Sequence, residues 1–467
     1  MQFSSVRFLL FLLVVLILYY ILRPRYRNYL LLAASYYFYF SFKPEYLVIL
    51  LGSTLVNYSG ALGMEKRPQS KKLLLTGLLI FNLGLLFFFK YFNFTGSQLN
   101  ALFRTFSLNL SIPAHSLILP IGISFYTFMA LGYILDVYWG DLKAQKDYLT
   151  FSLYLAFFPY ILSGPIGRAK NLFVQFTSEH PLLYANFSNG FRLMLWGFFK
   201  KMVIADNLGL YVDAVFSHLH IHSSLTVIVA SLLYPLQLFT DFSGYTDIAR
   251  GVGRMFGYDL MVNFRAPYHY SHSITEFWRR NHISLTSWLR DYVFYPLMGF
   301  STSRLKVHFG ILVMFLASGI WHGASWMFII WGLLQALYLI TEDITGWDKK
   351  FNHIRYAEYL KRGFTYLLLS LSLLFFRLPD LRSLVGYMSA LASNNWKLYY
   401  SSKNLSLIIL LGLAILTLVE LVLNKQQFDE WIGRQKLLPR WIVYQTLAVL
   451  ILLIGNIDGK SFIYFQF

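Results

Sequence analysis

Apolar runs long enough to span or half-span a bilayer recur from one end of this chain to the other. They fall at roughly 5–22, 28–42, 46–63, 73–92, 116–138, 148–165, 188–204, 224–246, 309–341, 363–377, 405–424 and 440–456. Several are shorter than the ~20 residues a straight span needs, so tilted or re-entrant pieces are expected among roughly 10–12 spans. The balance of side chains agrees. Apolar residues make up 57% of the chain and charged residues 13%, against about 25% charged in a soluble domain. That excludes a soluble enzyme, a disordered chain and a nucleic-acid-binding domain. No polar linker divides the sequence, so 1–467 reads as one integral-membrane domain of all-α, polytopic class.

The net charge of +18 is the Lys/Arg excess of cytoplasmic loops facing anionic lipid; a basic mouth that attracts an anionic donor is the other reading. Arg23, Arg25 and Arg27 follow the first apolar run, which lacks a small-residue cleavage site. It reads as a retained helix with its C-terminal end inside, not as a secretion signal. Lys66, Arg67, Lys71 and Lys72, then Lys349, Lys350, Arg355, Lys361 and Arg362, and later the segment Lys425 to Arg440, fall on the same side. There is no cysteine, which excludes disulfides, thiolate metal sites and a cysteine-linked acyl enzyme. No Walker A loop, HExxH, CxxC or strand-borne GxGxxG is present, so neither a metal nor a resident cofactor is expected.

Four constellations could carry chemistry. From Phe309 to Ile340 the one side chain that titrates near neutrality is His322. One helix of that length would be ~48 Å, against a ~30 Å hydrocarbon core. The expected break is at Ser318-Gly319-Ile320-Trp321-His322-Gly323-Ala324-Ser325, where small residues cluster. Irregular backbone at membrane depth is tolerated only beside protein or a water-filled cavity, and an ionisable group there is a functional candidate. The alternative is a structural histidine bonded between helices. The second constellation, from Ser273 to Tyr295, has the spacing of an amphipathic helix, with Trp278 and Trp288 on its aromatic stripe and His282 facing that stripe. It is either an interfacial anchor with a buried polar histidine or the carrier of a second catalytic or substrate-orienting residue. The third places Asp241, Ser243 and Tyr245 at the end of an apolar run. There Asp241 could orient a histidine or hold an arginine. The fourth is the Gly/Ser-bearing stretch from Pro120 to Phe128, with Tyr126.

Taken together, these residues resemble the membrane-bound O-acyltransferase superfamily. Glu276-Phe277-Trp278-Arg279-Arg280-Asn281-His282-Ile283-Ser284-Leu285 with Trp288-Leu289-Arg290, and Gly319-Ile320-Trp321-His322-Gly323 about forty residues on, carry the likeness. Gly122 to Phe128, Asp136-Val137-Tyr138, Phe158-Pro159, Ser163-Gly164-Pro165-Ile166, Asp241 to Asp247 and the terminal Phe462-Ile463-Tyr464-Phe465-Gln466-Phe467 resemble its bacterial branch. That branch O-acetylates alginate, peptidoglycan and other envelope polysaccharides. Asn281 departs from it, since that branch usually has Trp before the histidine. The resemblance implies a helical bundle with a tunnel or funnel, His322 as catalytic histidine and His282 as the second of the pair. Ser318, Trp321, Asp241, Ser243, Tyr245, Trp278, Trp288 and Tyr126 are the expected substrate or tunnel residues. Arg279 and Arg280 are candidates for the donor's phosphates. It further implies acetyl-CoA as donor substrate and an extracytoplasmic polysaccharide acceptor, reached through a separate SGNH-type or similar transferase. The expected location is the bacterial cytoplasmic membrane, in contact with its lipid. Competing readings are D-alanyl transfer to teichoic acid from a carrier protein, a transporter without chemistry, and a scaffold.

Overall fold

A computed structural model describes residues 1–115, 118–266, 271–301, 303–350, 356–393, 395–400, 402–423, 426–456 and 462–463. Arg355, Lys425 and Tyr464 to Phe467, named above, lie outside them. Among the described residues every regular element is helical. Seven helices are long and apolar enough to cross a membrane: Pro44–Lys66, Pro68–Thr105, Ser224–Met255, Arg304–His322, Trp326–Thr345, Lys403–Leu423 and Leu437–Ile454, with Val6–Ile21 a shorter apolar one. The remaining runs form shorter or more charged helices. The run at 148–165 is helical only over Tyr148–Ala156, every residue of which from Thr150 on is buried. A segment that faces protein on all sides need not match the lipid thickness.

The chain forms two compact units. The first holds Ser5–Leu182 with Phe256–Tyr258, and the second Gln2–Ser4, Leu183–Met255 and Asp259–Phe467. In the first unit the helices are α1 (Val6–Ile21), α2 (Pro24–Phe40), α3 (Pro44–Lys66), α4 (Lys71–Leu86), α5 (Phe92–Thr105), α6 (Ile123–Trp139), α7 (Tyr148–Ala156) and α8 (Ala169–Thr177). α3 and α4 are joined through buried Asn57 and Asn82, whose side-chain amides bond each other at 2.7 and 3.1 Å. Reciprocal pairing satisfies both groups where water is absent. Gly122 opens α6 at φ +79, and a Cβ there would lie 2.3 Å from the Ile161 carbonyl oxygen, so only glycine fits.

The second unit is built around a long buried helix. Its helices are α9 (Tyr184–Phe198), α10 (Asp206–Ser217), α11 (Ser224–Met255), α12 (Ile274–Arg280), α13 (Ile283–Leu289), α14 (Tyr295–Met298), α15 (Arg304–His322), α16 (Trp326–Thr345), α17 (Ala357–Arg377), α18 (Leu381–Ala392), α19 (Lys403–Leu423), α20 (Phe428–Gly433) and α21 (Leu437–Ile454). A π-helical turn, Phe199–Ala205, runs α9 into α10. The apolar window of α11 is 61% buried, that of α21 only 6%, so α21 presents its leucines and isoleucines to lipid while α11 organises the core.

Glycines let α9 approach α11. A Cβ on Gly190 would meet the Gly251 carbonyl at 2.6 Å, and one on Gly197 the Gly244 carbonyl at 2.7 Å. Two pairs seven residues apart, running in opposite directions, are the small-residue seam of close helix packing. Gly251 is thereby a packing residue. Where the rod widens, Lys201 pairs with Asp206 (2.8 Å) and Asp241 (2.6 Å), and Lys200 with Asp247 (2.8 Å) and the Ser243 hydroxyl (3.0 Å). This corrects the expectation for Asp241. Its partner is neither a histidine nor an arginine but Lys201, and its other oxygen accepts the Ile463 N–H at 2.8 Å. A buried carboxylate needs a cation and hydrogen bonds, and the π turn brings one from another helix.

Candidate active site

The apolar run from Phe309 breaks where the small residues cluster, and the break is a hairpin rather than a kink within one span. α15 and α16 lie antiparallel, each long enough to cross, joined at 323–325. Their seam is tight: a Cβ on Gly319 would lie 2.3 Å from the Phe328 carbonyl oxygen, and one on Gly332 2.4 Å from that of Phe315. Ser325 caps α16, its Oγ accepting the Met327 N–H at 3.2 Å. His322 therefore ends α15 beside the turn. It is buried, and its ring lies 4.9 Å from those of Trp321 and Phe376 and 5.1 Å from that of Trp331.

His282 arrives differently. The expected single amphipathic helix is two seven-residue helices, α12 and α13, separated at Asn281 and His282. His282 has φ +46, in the left-handed region that side chains with a Cβ rarely enter. Such strain persists only where surroundings over-determine it, and it concentrates at functional sites. Tertiary contacts supply that determination. Glu342, buried on α16, accepts the N–H groups of Ile274 (2.8 Å) and Thr275 (3.1 Å), placing a carboxylate on the N-terminus of α12. Ser273 caps the same end, accepting the Glu276 N–H at 3.0 Å. The His282 ring is buried, edge-on to Phe242 at 4.6 Å and 6.1 Å from the Trp321 ring. Complete burial in apolar surroundings pushes its pKa down to about 3, so the imidazole is neutral at physiological pH.

Both histidines line one narrow cavity of about 40 Å³. Its walls are mainly aromatic, from Phe239 and Phe242 on α11 to Trp331 and Phe376; its polar groups besides the imidazoles come from Asn281, Gln335 and the Trp278 and Trp331 indoles. The Trp278 N–H donates to the Gln335 side-chain oxygen at 3.1 Å, and the Gln335 amide donates to Ser372 at 2.8 Å. That chain fixes Gln335, the one side-chain amide of α16. Two imidazoles in one aromatic slot suit proton transfer to and from a small substrate.

Trp278 is on the wall, and the Trp321 ring lies near both imidazoles. The other expected residues stand elsewhere. Trp288 is buried on α13 against Tyr292, and Ser318 is buried on α15 four residues before His322; neither lines the cavity. Asp241 and Ser243 belong to the lysine cluster, and Tyr245 stacks on Phe3 (4.7 Å) and Phe462 (4.6 Å). These positions share α11 with Phe239 and Phe242, but helical phase turns them to other neighbours. Tyr126 is buried in the first unit, beside Tyr39. Arg280 is committed to Glu276 and to the Ala266 carbonyl (2.7 Å), so it is an internal tie; Arg279 is exposed.

The chain is thus a multi-pass helical membrane protein with a buried histidine pair lining one cavity. Residues 142–370, which contain both histidines, match the model of the membrane-bound O-acyltransferase family. The chain is 40% identical over 429 residues to the probable alginate O-acetylase AlgI of Pseudomonas putida, covering 90% of this chain and 85% of that protein. It is 33% identical to the peptidoglycan O-acetyltransferase of Helicobacter pylori, over 78% and 73% of the two chains. Similarity to the teichoic acid D-alanyltransferase of Bacillus subtilis is 33% over 51% of this chain and 63% of that one. The chain belongs to the membrane-bound O-acyltransferase family and is an acyltransferase.

Proposed function

We propose that the protein moves acetyl groups from cytoplasmic acetyl-CoA to hydroxyls of an extracytoplasmic envelope polysaccharide, in the bacterial cytoplasmic membrane. The observation that carries this is the pair of buried histidines in one cavity. At about 40 Å³ it has room for about three water-sized groups. That suits a two-carbon acyl group. Its described lining holds no carboxylate to pair an ammonium, which favours acetyl over D-alanyl.

His322 takes the proton of the acceptor hydroxyl as its oxygen attacks the thioester carbonyl. The C–O bond forms, the C–S bond breaks, and the imidazolium returns its proton to the departing thiolate. His282 accepts a hydrogen bond from the acceptor and orients it. Charge supports the direction of travel. Arg304, Lys306, Lys349, Lys350, Lys361 and Arg362 lie towards one end of the α15–α17 layer, while the 323–325 turn and Pro379 lie at the other. By the positive-inside rule the turn faces away from the cytoplasm. Beside it is an open bowl of about 460 Å³ with Ser217, His220, His222, Arg377 and Ser383 on its walls, large enough for sugar rings. The polymer is reached directly or through a separate SGNH-type transferase.

The test is acetyl-CoA turnover by the purified protein in nanodiscs, wild type against His322→Ala, with folding checked by size exclusion and melting. Turnover lost in a folded variant supports the reading. Turnover with carrier-bound D-alanine and none with acetyl-CoA selects the other donor. Equal turnover in both proteins removes His322 from the chemistry.

A further inference from the structure

We propose that Asn263 is the positioning residue of His282: its side-chain carbonyl fixes the imidazole as the Nδ1–H tautomer and leaves Nε2 to accept a hydrogen bond from substrate. This rests on the reading of His282 as the residue that orients the acceptor.

Asn263 follows α11 in an extended segment laid along the α12–α13 break. Its backbone carbonyl accepts the Ile283 N–H (3.0 Å), and two residues on the Arg265 N–H donates to the Arg280 carbonyl (3.0 Å). The side chain is buried, and its Oδ1 gathers three contacts: the Ser284 N–H at 3.0 Å, the Ser284 hydroxyl at 2.9 Å and His282 Nδ1 at 3.3 Å. A backbone N–H can only donate, so the amide atom facing Ser284 is the oxygen and not the nitrogen. An amide oxygen can only accept, so Nδ1 carries the hydrogen. In a neutral imidazole the other nitrogen then holds the lone pair. The same carbonyl grips the residues on which the left-handed turn depends, so tautomer and ring orientation are set together. The Asn263 Nδ2 group is buried with no acceptor among the described residues. Asn263→Asp therefore keeps the accepting oxygen, breaks no described hydrogen bond and adds one negative charge beside the imidazole.

Three readouts test this. Histidine-labelled protein in nanodiscs reports ring-nitrogen shifts by solid-state NMR, the His282 signals being those lost in His282→Gln. Nδ1–H is expected; a His282 signal of the Nε2–H tautomer overturns the proposal whatever the activity shows. In Asn263→Asp the added carboxylate favours the imidazolium, so the His282 ring-nitrogen shifts titrate about 1–3 pH units higher than in wild type. An unmoved His282 titration in a folded Asn263→Asp protein overturns it. Asn263→Leu loses kcat about 10–100-fold with donor KM unchanged, and Asn263→Asp restores the rate at high pH but not at low pH. Full activity of His282→Gln with the Nδ1–H tautomer intact would remove the role of His282 while leaving the Asn263–His282 geometry standing, so the two failures are separable.

Discussion

His322 ends a 19-residue helix and is followed by a three-residue turn, whereas His282 occupies a left-handed break between two seven-residue helices. The first is held by helix packing: two glycine contacts bring α15 and α16 together and the turn falls where they end. The second is held by polar groups from elsewhere in the chain, Asn263 behind the ring and Glu342 under the start of α12. A buried histidine pair can thus be assembled from one tight hairpin and one strained insert. The difference predicts which substitutions damage chemistry, which damage the frame and which do nothing.

The largest effect is expected at His322 itself. His322→Ala should lower kcat by about 10²–10⁴-fold, the usual worth of a general base, with an unchanged melting temperature. A folded variant of normal rate would break the comparison at its root. Next is the seam. Gly319→Ala drives a methyl into the Phe328 carbonyl and should cost about 1–3 kcal/mol, read as a lower Tm together with lost turnover; a neutral Tm would mean that the hairpin is not held by that contact.

The insert should betray itself through pH. Folded His282 has its pKa lowered to about 3, against about 6.5 in the unfolded chain. Below pH 6.5 the unfolded state binds the extra proton, so stability is full above 6.5 and falls towards pH 3, by at most about 1.4 kcal/mol per pH unit. Melting of wild type between pH 8 and 5, compared with His282→Gln, should show that extra slope only in wild type; parallel curves would mean that the ring is solvated. Glu342→Gln should be milder, about 1–2 kcal/mol, since an amide oxygen still accepts one N–H. It should reduce turnover through the position of His282 while sparing donor KM. The smallest effect is expected at exposed Arg279. Arg279→Ala should stay within about 0.5 kcal/mol, and a donor KM raised tenfold would show that it meets the donor's phosphates after all.

Much of this was legible in the residues. The apolar runs required a helical membrane protein because unsatisfied backbone is intolerable in hydrocarbon. The cluster of small residues around His322 marked the break, since only small side chains permit the close seam. The lysines of the π turn were not legible, because a widened turn has no clear sequence mark and its charges answer carboxylates some forty residues on. Gln335 was visible as an amide in an apolar run but gave no hint of its partners.

The sequence by itself determined the class of protein, the position of the hairpin and the two histidines as candidates, because hydrophobic periodicity, small-residue clusters and lone ionisable groups are local properties. Only the tertiary structure decided that α12 and α13 are two helices and that both imidazoles line one slot. It alone placed Asp241 and Tyr245, on the same helix as the cavity wall, away from that slot. Helical phase and a left-handed residue are settled by what packs against them: a single carbonyl from Asn263 and a carboxylate from Glu342, distant in sequence, cost and gain energies that no local pattern records.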